Sequence, residues 1–290
     1  MRGPVTTFPT RLEGLFTSGK QLPTLPSLVL EVQRALANEM SGLRDIGSII
    51  ERDPALTARV LRVANSAAFS RGEPITTVRT AIGQLGIANV RALCLTVGIV
   101  RAFGQNAGGL DHTRYWEHSA AVGLVAERLA GLSRRYGSVE GGEAYTAGLL
   151  HDVGLLIEDQ FFSSDFAQVQ AAADADMVPR YQVEVELLGM DHGAIGGRML
   201  ERWSLPSVVQ WSVISHHRLD AAPADAAALA AVVWGAEALC TAAGLELAQE
   251  GHAEVSPAEV FDRLDLDPDS RETFLAEVGA IGVRARQFTA

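Results

Sequence analysis

Histidine placement is the feature of this sequence that carries chemistry. Of its seven histidines, five fall at His118, His151, His192, His216 and His217, all at or near helix-like apolar segments. Asp152 follows His151 directly, inside the string Ala147-Gly148-Leu149-Leu150-His151-Asp152-Val153-Gly154. Imidazoles and carboxylates suit Fe, Mn, Ni and Zn, and helical bundles build metal sites by pointing such groups inward from several helices. Adjacent helical positions differ in direction by about 100°, so His151 and Asp152 would serve neighbouring coordination positions, as would His216 and His217. A charged pair among Leu149, Leu150 and Val153 requires a buried partner. That partner is a metal or another histidine, and spacing alone leaves both open. His112 and His252 stand outside the pattern and read as ordinary hydrogen-bonded residues.

The elements that must position these groups read as helices. Apolar residues recur at intervals of three and four nearly everywhere: Leu28, Val32, Leu36; then Ile46, Ile49, Ile50; then Leu56, Val60, Val63. Asp53-Pro54 is a helix start, an N-cap followed by proline at the first helical position. Leu85, Val90, Leu93 and Val97 mark a longer helix, with turn or kink points at Gly72 to Pro74 and Gly83 to Gly86. The first hundred residues therefore read as five or six short helices. Gln105 to Asp111 is the expected boundary, dividing the chain into segments 1–110 and 111–290. Beyond it the pattern predicts helices over Thr113–Tyr136, Gly142–Phe162, Val178–Leu188, His192–Trp203, Pro206–His217 and Ala224–Ala243. The fold class is all-α.

Composition excludes several functions. A chain of 290 residues buries roughly 75% of its unfolded surface. Cys94 and Cys240 are too few for a disulfide framework, fit a reducing cytosol, and read as small core residues. The net charge of −11 disfavours nucleic acid and anionic lipid as partners. A helix–turn–helix-like spacing at Ile46 to Asn65 does not outweigh it. Ile82 to Val100 is apolar but contains Gln84, Asn89 and Arg91, which predicts a buried helix rather than a membrane span. No signal-peptide core is seen in Met1 to Leu12, so a cytoplasmic location is expected. The stretch from Glu250 to Glu277 holds nine acids against Arg263 and Arg271 and reads as a solvated helical face. Trp116, Trp203, Trp211 and Trp234 read as core residues, and no phosphate-binding loop or nucleophile elbow is found.

Taken together, His118 and the AGLLHDVG string around His151-Asp152 resemble the HD superfamily of metal-dependent phosphohydrolases. The amino-terminal half resembles the HDOD domain, the HD-related output domain of bacterial signalling. That likeness rests on Leu22-Pro23-Thr24-Leu25-Pro26, Ile50-Glu51-Arg52-Asp53-Pro54-Ala55-Leu56-Thr57, Arg62-Val63-Ala64-Asn65-Ser66 and Ile75 through Val90, and runs from about Leu15 to Leu219. The resemblance implies an amino-terminal helical bundle packed on an HD-like helical core, in a signalling role often without catalysis. In the related HD-GYP phosphodiesterases the metal ligands come from the HD pair and later histidines. His118, His151, Asp152, His192, His216 and His217 occupy matching places here, and Glu237 falls nearest to the family's closing aspartate. The implied cofactor is one or two divalent transition metals (Fe, Mn, Ni or Zn), or none in an empty, pre-shaped pocket.

Two departures weigh against cyclic-dinucleotide hydrolysis. Leu155 replaces the lysine expected after HD-x-Gly, and Arg218-Leu219-Asp220-Ala221-Ala222-Pro223 holds no Gly-Tyr-Pro motif. Arg114, Arg198 and Arg218 are the arginines nearest the histidine motifs in sequence, and each reads as a surface charge. The expectation is a signalling module working by protein or ligand binding. Its partners would be signalling proteins of kinase, cyclase or response-regulator type, and a nucleotide would be its small-molecule ligand. The competing expectation is a metal-dependent phosphohydrolase, with Asp152 as the bridging carboxylate and the essential catalytic residue.

Overall fold

The computed structural model describes residues 7–18, 22–37, 41–70, 72–103, 109–136, 139–247 and 255–289. Among them there is no strand, in keeping with an all-α chain. The amino-terminal helices are α1 (Phe8–Ser18), α2 (Ser27–Ala37), α3 (Leu43–Ile50), α4 (Pro54–Ala64) and α5 (Val78–Phe103). Asp53 caps α4 as its sequence foretells, its carboxylate accepting from the backbone N–H groups of Ala55 and Leu56, with Pro54 at the first helical position. Ile46, Ile50, Leu56, Val60 and Val63 turn inward as the expected stripes. Gly86 breaks α5 with φ of 80°, so the kink expected in this region is real and needs a residue without a Cβ.

The polar residues of this half are loop staples. Asn65 exchanges two hydrogen bonds with the backbone of Ile75, and Gln84 donates to the carbonyls of Ala64 and Phe69. These bonds clamp the connection from α4 to α5. By length and composition α5 could cross a membrane, but Ala92, Leu93, Cys94 and Ile99 are buried in the core.

The remaining helices are α6 (His112–Ala130), α7 (Gly141–Leu150), α8 (Val153–Phe161), α9 (Ser163–Asp176), α10 (Arg180–Leu188), α11 (His192–Arg202), α12 (Ser207–Ser215), α13 (Ala227–Ala242), α14 (Pro257–Leu264) and α15 (Arg271–Thr289). Several expected boundaries need correction. The helix expected over Thr113–Tyr136 stops at Ala130, where Gly131 caps it. The single helix expected over Gly142–Phe162 is two, because the chain bends at His151-Asp152 and Asp152 leaves helical geometry at φ −102°, ψ 13°. Periodicity runs through the bend unbroken, since both flanks are buried. Helix α9 escapes the pattern because its inward stripe is only Phe166, Val169 and Ala173 among alanines and acids.

One hydrophobic core runs from Phe8 to Phe288 and includes Cys94 and Cys240, both free thiols. Trp116 is buried as expected, whereas Trp211 is 41% exposed and so is not a core residue. Trp203 and Trp234 are half-buried against the core. Helix α15 lies against α6 and α5 through Phe274, Val278, Ile281, Ala285 and Phe288. Asp262, Asp265, Asp267, Asp269 and Glu272 face solvent, as expected for this acidic stretch. His252 and Glu250 lie outside the described residues.

Candidate metal centre

Four segments meet at Asp152. Helix α6 presents His118, the bend between α7 and α8 presents His151 and Asp152, the first turn of α11 presents His192, and the end of α12 presents His216 and His217. Small residues make the approach close enough. Gly123 and Gly148 touch where α6 crosses α7: a Cβ on Gly148 would lie 2.9 Å from the Gly123 Cα. A Cβ on Gly154 would overlap the His192 carbonyl, so α8 reaches α11 only because this position is glycine.

The Nε2 atoms of four rings face one carboxylate. His151 Nε2 is 3.0 Å and His118 Nε2 3.8 Å from Asp152 Oδ2; His192 Nε2 is 3.3 Å and His216 Nε2 3.6 Å from Oδ1. His217 Nε2 is 2.9 Å from His192 Nε2. All but the half-buried His217 are at most 1% exposed.

The opposite edge of each ring is fixed. His118 Nδ1 donates to the Leu245 carbonyl at 2.8 Å, His151 Nδ1 to Gly148 at 2.7 Å, and His216 Nδ1 to Val213 at 2.6 Å. His192 Nδ1 donates to Glu184 Oε2 at 2.7 Å. A carbonyl only accepts, so Nδ1 must hold the proton, and a neutral ring then aims its Nε2 lone pair at the Asp152 carboxylate. Acceptors facing acceptors in a buried site require a cation, whether extra protons or a metal ion. This is also the outer arrangement that orients histidine ligands in metal sites.

The titration behaviour follows from that conflict. Burial opposes charge on His151 and His192, yet Asp152 at His151, and Glu184 with Asp152 at His192, raise both above the ordinary imidazole value. Burial and the neighbouring rings push His216 down to about 3 and hold His217 well below normal. Protonation within the ring cluster is thus one way to neutralise Asp152; a divalent cation is the other.

The donors form two groups that share Asp152: His118, His151 and Asp152, and Asp152, His192, His216 and His217. Within each group the ligand atoms lie within 4.8 Å of one another. This nitrogen-rich set with one carboxylate fits a first-row transition metal. Glu237, on α13, belongs to neither group. It is buried near them, and desolvation, against the pull of His151, raises its carboxyl to about 7.

Sequence reasoning missed the support behind His192. Glu184 Oε2 accepts from both Nδ1 and the backbone N–H of His192, each at 2.7 Å. Buried Arg180 donates to Glu184 at 2.7 Å, to Glu158 at 2.9 Å and to Gln170 at 2.8 Å, and stacks over Phe166 at 4.1 Å. One guanidinium cannot hold two buried carboxylates ionised. Burial and Glu184 push Glu158 up to about 8, while Glu184 stays below its normal value through His192 and Arg180 despite its burial. The i, i+4 pair Arg180/Glu184 was the visible signal, and such pairs usually lie on a surface. His217 stacks on Tyr181 with centroids 4.4 Å apart.

The three arginines weighed from sequence are engaged elsewhere. Arg114 lies beside Asp111, Arg198 pairs with Glu13, and Arg218 with Asp191. Leu155 is buried at 1% exposure. His112 contacts Asp159 at 3.2 Å, the hydrogen-bonded role expected for it.

Comparison with known proteins places this geometry. A crystal structure of an HDOD domain protein of unknown function from Geobacter sulfurreducens superposes with a TM-score of 0.78 at 31% identity, covering 95% of both chains. A candidate phosphohydrolase from Shewanella amazonensis shares the fold with a TM-score of 0.75 at 24% identity, over 96% of this chain and 98% of that one. An uncharacterised protein from Treponema pallidum is 26% identical over 204 residues, 70% of this chain, which spans only 39% of that relative's length. The HDOD domain family matches residues 22–219, and with that extent of agreement the chain belongs to the HDOD family.

Proposed function

We propose that this chain is a cytosolic signalling module that holds a divalent transition metal in its HD-like half and acts by binding a protein partner rather than by turnover. The observation that carries this reading is the closure of the site. Five of the six donor residues are buried to 1% exposure or less, and Leu155, where the family resemblance implies a lysine, is buried hydrocarbon. Burial of that extent disfavours direct contact between a phosphodiester and the donors. His118, His151, Asp152, His192, His216 and His217 would hold the metal. When bound, the ion supplies charge neutralisation and Lewis acidity. The chain's own residues fix ring orientation through Nδ1 and exclude water by packing. Partners of kinase, cyclase or response-regulator type fit a helical surface, and the net charge of −11 disfavours nucleic acid.

A second reading, metal-dependent phosphohydrolysis, is favoured by one observation: both donor groups share Asp152, as a bridging carboxylate would. One experiment separates them. Tag-free protein is analysed for metal, then assayed against a phosphodiester and a nucleotide with added Mn and Fe. Bound metal without turnover supports the binding module. Turnover lost in a folded Asp152→Ala variant supports the enzyme instead. Metal well below one equivalent that added ions do not restore overturns the metal centre in both readings.

A further inference from the structure

Remote from the metal centre in sequence and in its lining residues, a cavity of about 250 Å³ opens between α4, α5 and α15. Its walls are of two kinds. Val97, Val100 and Phe288 supply apolar surface, and Arg59, Arg62 and Arg101 supply three guanidinium groups. For a chain with net charge −11, gathering three cations at one cavity runs against the overall composition.

The counter-charge present does not match them. Arg101 is paired with Asp53 at 2.5 Å. Arg59 donates Nη2 to the Phe288 carbonyl at 2.8 Å, but its Nε is buried and has no hydrogen-bond partner among the described residues. Burial, with Arg62 alongside, holds Arg59 below the ordinary guanidinium value. Among the described residues, three guanidinium groups against one carboxylate leave two positive charges, with a buried N–H donor beside them. Guanidinium forks match the oxygens of phosphate, and hydrocarbon walls match an apolar body.

We propose that this cavity binds a small molecule carrying a phosphate monoester on an aromatic or aliphatic body. The phosphate meets Arg59 and Arg62, and the body lies against Val97, Val100 and Phe288. Because the Phe288 carbonyl already holds Arg59, an occupant there bridges α15 to the amino-terminal helices.

Phenyl phosphate is the probe, titrated calorimetrically into the full chain at physiological salt with a chelator present, so that no metal registers the phosphate. The expected result is saturable one-to-one binding, about tenfold tighter than inorganic phosphate and absent for phenol. Arg62→Gln, at an exposed position, is expected to weaken it about tenfold, and Arg59→Met to weaken it further. Should Arg59→Met fail to fold, Arg62→Gln alone decides. No saturable binding at millimolar phenyl phosphate overturns the proposal. So does affinity unchanged by Arg62→Gln, or equal affinity for inorganic phosphate, which would mark a non-specific anion site.

Discussion

Glu184 grips His192 twice with one oxygen, accepting from both the ring Nδ1 and the backbone N–H at 2.7 Å. The ring can neither rotate nor change tautomer without breaking that bond, so its Nε2 stays aimed at Asp152. Glu184→Gln keeps the shape and removes the charge. Metal affinity, measured by chelator competition, is expected to fall about 10- to 100-fold with little change in helix content. Unchanged affinity would reduce Glu184 to a packing residue.

Gly154 allows α8 to reach α11. In Gly154→Ala the new methyl group would overlap the His192 carbonyl. The expected cost is about 1–3 kcal/mol in urea denaturation of metal-free protein, with weakened metal binding besides. Wild-type stability in this variant would contradict the close approach of the two helices.

Metal binding should stabilise the fold by mass action. At a free metal concentration a thousand times Kd, the gain is about 4 kcal/mol, read as a rise in Tm that chelator reverses. In Asp152→Asn the rise should shrink sharply, because both donor groups lose their shared carboxylate. A Tm indifferent to metal and chelator would count against a bound ion.

Asp53 links stability to pH. Its hydrogen bond from Arg101 and those from Leu56 and Ala55 outweigh desolvation and hold its carboxyl below the usual value. A depressed carboxylate stabilises the fold above the unfolded-chain pKa of about 3.9, and that contribution fades as pH falls through the folded value. Asp53→Ala is therefore expected to cost about 1 kcal/mol near neutral pH, as for loss of an N-cap. The gap from wild type should narrow as acid protonates Asp53. A gap that stays constant with pH would assign the loss to something other than the carboxylate.

The gathering of His118, His151, Asp152, His192, His216 and His217 was legible from their residue types together with the family resemblance, which matched each to a place in the HD-type site. The cap of α4 and the stripes of α3 and α4 were legible because they are local. The break at His151-Asp152 was not, since both flanks are buried and the groups it faces, His192 and His216, lie far along the sequence. Helix α9 was hidden by its thin apolar stripe, and Arg180 by a salt-bridge spacing that looks the same on a surface. Glu158, buried amid Leu155, Leu156 and Ile157, shows the general point. Its neighbours announced burial, but its partner on α10 could be found only in three dimensions.

The donors stretch from His118 to His217, about a hundred positions of chain, with six helices or helix ends between them. A bound ion would act there as a reversible cross-link closing a very long loop, and such closure is costly in entropy before it is rewarded. The donors come from α6, the bend between α7 and α8, α11 and the end of α12, so the site is complete only when all of these are docked. A displacement of any one of those helices would loosen the whole knot at once.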